Sequence, residues 1–168
     1  MLQPPRIRHR VLDSSPGLEV IEIASPAEHE THADPEMSLP TGTLRPGRVF
    51  ETQTFCRHEV ESAHWEPSRS EQFVARDLGI SGATGGLAHA WVLRRADPAT
   101  WPGVATATPV GKMVFDFVLA GSVTLKSDDR GAHSLGTGDS FVVPAGQSYQ
   151  LVDCDDALEL LEVTLPSS

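Results

Sequence analysis

Residues Gly138–Tyr149, GDSFVVPAGQSY, decide the fold. A glycine turn leads into the apolar run Phe141-Val142-Val143, and Pro144-Ala145-Gly146 then reverses the chain. Proline fixes φ and removes a backbone donor, while glycine admits positive φ, so the pair marks a β reversal. Tyr149–Val152 and Ala157–Leu165 read as the returning strands.

The same grammar extends upstream. Gly79, Gly82, Gly85 and Gly86 read as a loop, Leu87–Arg94 as a strand, and Asp97–Pro109 as a Pro/Thr/Gly loop. Met113–Leu119 is a strand, Ala120-Gly121 a turn, Ser122–Lys126 a strand, and Ser127–Gly131 a turn. His133-Ser134-Leu135 is a short strand before the Gly136–Gly138 turn. Many short strands between Gly/Pro/Asp turns imply an antiparallel sandwich or barrel. No segment keeps a helical period over three turns.

Composition narrows the class. At 168 residues, 39% hydrophobic and 21% charged, the chain has the make-up of one soluble globular domain with extra segments. A net charge of −10 argues against nucleic acid and against anionic membrane surfaces, both of which need Lys/Arg faces. Cys56 and Cys154 lie far apart without C-x-x-C spacing, which favours free thiols in a reducing cytoplasm. The first residues lack an apolar signal core, and no apolar run approaches ~20 residues.

From about Phe73 to Pro166 the residues resemble the cupin superfamily of jelly-roll barrels. The second motif of that family runs Gly, five residues, Pro-x-Gly, two residues, His. Gly138, Pro144 and Gly146 match it, and Tyr149 stands where the metal-binding histidine belongs. In the first motif Gly121 fits the closing glycine, which puts Val114 at the glutamate and the His-x-His within Ala105–Pro109, ATATP. Every expected ligand is replaced. The three-histidine, one-carboxylate site that the resemblance implies for iron, manganese or nickel is not assembled from these positions.

Residues 4–26 overlay residues 144–166 without a gap. Pro4, Asp13, Leu18, Glu19, Glu22 and Pro26 meet Pro144, Asp153, Leu158, Glu159, Glu162 and Pro166. Apolar residues also match at Val11, Leu12, Val20, Ile21 and Ile23, and His9 falls on Tyr149. The expected organisation is therefore a β-hairpin arm over 1–26, with strands 7–12 and 18–24, resembling the end of a preceding cupin. A linker over 27–72 and a cupin barrel over 73–168 follow. The pattern also admits a strand from Val49 to Phe55. The whole resembles a two-cupin protein lacking most of its first barrel. A half-barrel cannot bury its own apolar face, so the arm is expected to pack on the barrel or at a homodimer interface.

Other chemistry-bearing clusters are weaker. Glu28-His29-Glu30-Thr31-His32 with Asp34 has metal-ligand residue types but lies in linker-like sequence, where solvation is the plainer account. His58-Glu59 and His64 lack H-E-x-x-H spacing, and the Gly79–Gly86 loop lacks a following Gly-Lys-Ser/Thr. Asp116 shares strand parity with Val114 and Val118, the face pointing inward, and a buried acid requires a reason.

The expected function is a small-molecule-binding or structural barrel without the usual metal and without enzymatic activity. Trp91, Val114, Asp116, Tyr149 and His89 are expected to line its pocket. The alternative is a metal-dependent cupin enzyme, dioxygenase- or isomerase-like. Its divalent transition metal would be held by His9 from the arm and by His89, with Asp116 as a further candidate.

Overall fold

Along strand β7 (Met113–Ala120) burial alternates residue by residue, with Val114, Asp116 and Val118 inside and Met113, Phe115 and Phe117 half-exposed. A period of two with one covered face is the mark of a sheet lying on a core. The parity read from the sequence therefore holds on this strand. The computed structural model describes every residue except Arg69, Pro98, Thr100, Ser167 and Ser168. The loop after Asp97 and the last residues of the expected barrel segment fall partly outside the described residues.

Two antiparallel sheets face each other. The larger has the order β10 (Ser140–Pro144), β7, β12 (Glu159–Leu165), β5 (His89–Arg95), β4 (Phe73–Asp77) and β3 (Glu66–Pro67). The smaller has the order β6 (Val104–Ala107), β11 (Tyr149–Val152), β8 (Ser122–Ser127) and β9 (Gly131–Gly136). Phe73, Leu93, Val118, Phe141, Val143 and Leu160 from the first sheet meet Ala105, Val123, Tyr149 and Leu151 from the second. Each fully buried branched side chain stabilises the fold by roughly 1.5–3 kcal/mol. The Pro144–Gly146 reversal forms as expected, and the Gly146 amide donates to the Pro109 carbonyl at 3.0 Å, tying that turn to the chain after β6.

The nearly all-β jelly-roll expectation is met, with five local differences. The Gly79–Gly86 loop contains a short helix, α1 (Ile80–Thr84), bounded by Gly79 and Gly85 in left-handed conformation. Within the segment read as the Asp97–Pro109 loop, Val104–Ala107 is strand β6; its two alanines and the surrounding Pro102, Gly103 and Pro109 mask the β signal of Val104 and Thr106, and pairing to β11 makes it a strand. The strand expected at Val49–Phe55 is two short ones, β1 (Val49–Phe50) and β2 (Gln53–Thr54), paired around Glu51 at φ 58°. Part of the expected linker is also ordered on the barrel, since β3 pairs with β4.

The fifth difference is the arm. Segments 7–12 and 18–24 do not form the expected β-hairpin: both run without strand pairing, and Val11, Leu12 and Val20 are 78%, 69% and 74% exposed. Their counterparts in the repeat lie in β11 and β12, each flanked on both sides by other strands. The same pattern becomes strand where neighbours supply the ladder and stays open where none does. The arm is held by other contacts. Leu2 bridges to Cys56, Arg10 donates to the Leu39 carbonyl at 2.8 Å, and Arg8 lies 3.2 Å from Asp34.

Candidate ligand cavity

The open space of interest lies between the sheets. A partly open cavity of about 220 Å³ is bounded by Trp91 and Leu93 of β5, Glu162 of β12 and Phe73 of β4. Ala105, Thr106 and Ala107 of β6 and Tyr149 and Leu151 of β11 form the facing wall, with Pro67, Ser68 and Ser70 at one end. A Ser68 turn shapes that end, its hydroxyl donating to the Ser70 carbonyl at 2.8 Å and accepting from the Ser70 amide at 3.0 Å.

Strand register explains the wall. Tyr149 lies opposite Ala107 and Leu151 opposite Ala105, so two alanines face inward where the resemblance placed the histidine pair. Methyl groups in place of imidazoles leave room. Tyr149 is 4% exposed and packs edge-on against Phe141 at 6.0 Å. The Pro/Gly turn thus aims this side chain into the barrel.

On the opposite sheet Glu162 sits directly across from Trp91 on one side and Asp116 on the other. Glu162 is 4% exposed and Asp116 1%. The sequence reading missed Glu162, although its alternation with Leu160 and its place in the repeated LExxE pattern carried the signal. Of the residues expected to line the pocket, Trp91 and Tyr149 do so. Val114 and Asp116 do not, because they lie one strand further along the sheet on β7. His89 is not on the lining either; it stands two residues before Trp91 on β5, its imidazole stacked on the indole at 5.1 Å and 13°.

The metal that the fold implies does not fit these residues. Ala105, Ala107 and Val114 offer no donor atom, and no three His, Cys, Asp or Glu side chains gather into a metal-holding group among the described residues. His9 is exposed in the arm, with its ring nitrogen 3.4 Å from the Ile7 carbonyl oxygen. The structure does not bring it together with His89 and Asp116. His29 and His32 are exposed too, and His32 contacts Glu30 at 3.0 Å.

Away from the cavity, Arg95 is 9% exposed, donates to the Cys154 carbonyl at 3.1 Å and pairs with Asp156. Burial pushes the Cys154 thiol up to about 11, against the opposing pull of the Arg95 charge.

No protein-family model and no curated protein sequence matches the chain. Solved structures do. The polyketide cyclase RemF from Streptomyces resistomycificus aligns over 68% of this chain and 81% of its own, with 16% identity and a TM-score of 0.52. The cupin domain of Schizosaccharomyces pombe Cnp3 aligns over 65% and 72%, with 14% identity and a TM-score of 0.50. The EutQ protein of Clostridium difficile aligns over 57% of this chain and 64% of its own, with 18% identity and a TM-score of 0.44. The chain thus spans less than two-thirds of that protein. Two facing antiparallel sheets, joined at the Pro144–Gly146 reversal between β10 and β11, define a jelly-roll barrel. With these likenesses the chain is a cupin-fold protein.

Proposed function

We propose that the barrel binds a small, largely apolar molecule between its sheets, without a metal and without catalysis. The observation that carries this reading is the cavity of about 220 Å³, apolar on most sides, with Glu162 as the one acidic residue on its lining among the described residues. A concave apolar site with few converging polar groups is the usual form of a small-molecule site. The test pairs metal analysis of protein purified without a histidine tag with a thermal-shift screen of small organic compounds. Metal below stoichiometry, and stabilising compounds whose effect disappears in Ala107→Phe, are expected. Stoichiometric metal lost on His9→Ala would instead establish the metal-enzyme reading.

The same proposal extends to self-association and compartment. The exposed Val11, Leu12 and Val20 of the arm pack on a second copy, giving a homodimer that light scattering would detect. A strictly monomeric chain would overturn this part. Free Cys56 and Cys154 suit a reducing cytoplasm, and no helix among the described residues is long and apolar enough to cross a membrane.

A further inference from the structure

We infer that the cavity receives a planar aromatic ring bearing a hydrogen-bond donor, such as a phenol or an indole N–H, stacked against Trp91 with its donor on Glu162. The inference rests on the ligand-binding reading above and adds the chemical class of the ligand.

Three features lead there. His89 stacks on the indole of Trp91 and fixes the ring as a platform, so a molecule within the cavity, which Trp91 lines, meets the rest of that ring. Aromatic pairs prefer offset-stacked or edge-on contact, which a flat ligand supplies and a bulky aliphatic one does not. The wall across the cavity carries the small side chains of Ala105 and Ala107 beside Tyr149 and Leu151, and with sheets packed about 10 Å apart those methyls leave room for a flat ring next to Trp91. The size agrees: about 220 Å³ exceeds the roughly 150 Å³ cavity known to hold benzene, leaving space for substituents or a second ring.

The polar end follows from register. Glu162 is placed directly beside Trp91, so a ring stacked on that indole brings its edge to the carboxyl. A carboxylate has about four acceptor positions and can hold internal partners while accepting one more donor. In an apolar slot this acceptor discriminates. A ring with a donor gains a hydrogen bond to this carboxyl that a ring without one does not make.

The experiment measures binding of four probes to the full chain by calorimetry or ligand-observed NMR: phenol, indole, toluene and cyclohexanol. Phenol and indole are expected to bind roughly tenfold or more tightly than toluene and cyclohexanol. Toluene binding as tightly as phenol would overturn the donor assignment, and cyclohexanol matching phenol would overturn the aromatic one. Either result leaves the cavity reading standing. Absence of binding by all four would overturn both. Glu162→Met is expected to bring toluene level with phenol; if that variant fails to fold, the four-probe comparison on the parent chain decides alone.

Discussion

Glu162 and Asp116 are direct cross-strand partners on β12 and β7, and both are almost fully buried, at 4% and 1% exposure. Side chains so paired leave the same face of a sheet with Cβ atoms about 5 Å apart. Carboxyl side chains taken out of water are costly to keep unless their oxygens are hydrogen-bonded. An amide of the same shape at Asp116 keeps hydrogen-bonding atoms in place, whereas deleting them leaves a void and strands the groups they met. Asp116→Asn is therefore expected to unfold within about 1 kcal/mol of the parent, and Asp116→Ala to lose about 1–3 kcal/mol. Chemical denaturation of both variants checks this. A larger loss for Asn than for Ala would show that the carboxyl of Asp116 makes contacts an amide cannot.

Cys154 makes alkaline stability testable. Its thiol has an ordinary value of 9.0 and is pushed up to about 11, first by burial, with Arg95 opposing and Asp153 adding to the rise. The folded state thus keeps a proton that the unfolded chain releases near pH 9. Its contribution is fully present below that pH and is lost as pH rises toward 11. The difference in stability between parent and Cys154→Ala should shrink across this window by roughly 1–3 kcal/mol. Parallel curves for the two proteins would refute it. The same burial predicts slow alkylation of Cys154 in the native chain at neutral pH.

How far the sequence reached depends on what each residue type reports. Gly138, Pro144 and Gly146 act through local backbone geometry, so their turn was legible residue by residue. Tyr149 follows from its motif position, and Trp91 is expected only as a large aromatic on a neighbouring strand. Glu162 was passed over because its meaning arises from pairing: nothing within Glu159–Leu165 states that Trp91 and Asp116 will flank it. The arm shows the converse failure. Leu18–Ile23 carries a strand pattern as clear as that of β12, yet a strand needs neighbours, which a local pattern does not encode. Ala105 and Ala107 were read as lost ligands, and only the facing Trp91 shows that the loss opens a cavity.

Gly121 closes the turn between β7 and β8 and tolerates no side chain. Its φ is +72°, and an added Cβ would lie 2.8 Å from the Leu158 amide nitrogen and 2.9 Å from the Leu158 Cα, backbone atoms that have nowhere to go. Gly138 has a similar φ of +95° with nothing within 4 Å of the added carbon. The left-handed conformation alone costs a non-glycine residue about 1–2 kcal/mol. Gly138→Ala should lose about that much. Gly121→Ala should lose clearly more, about 3 kcal/mol or beyond, since steric strain adds to it. Equal losses in the two variants would show that the turn at Gly121 yields.

The internal repeat allows one substitution to be compared in two settings. Val20 and Leu160 occupy matching positions, yet Val20 is 74% exposed in the arm and Leu160 is 0% exposed at the centre of the barrel. Leu160→Ala removes atoms from a closed core and leaves a void, an expected cost of about 2–5 kcal/mol. Val20→Ala removes atoms already in water and should change the unfolding of an isolated chain by no more than about 0.5 kcal/mol. If the arm packs on a second copy, the difference appears only under association: Val20→Ala shifts the monomer–dimer equilibrium toward monomer while leaving unfolding at high dilution unchanged. Unfolding is measured at two protein concentrations for both variants. A Val20→Ala loss comparable to that of Leu160→Ala at high dilution would show that the arm folds onto its own barrel rather than onto a partner.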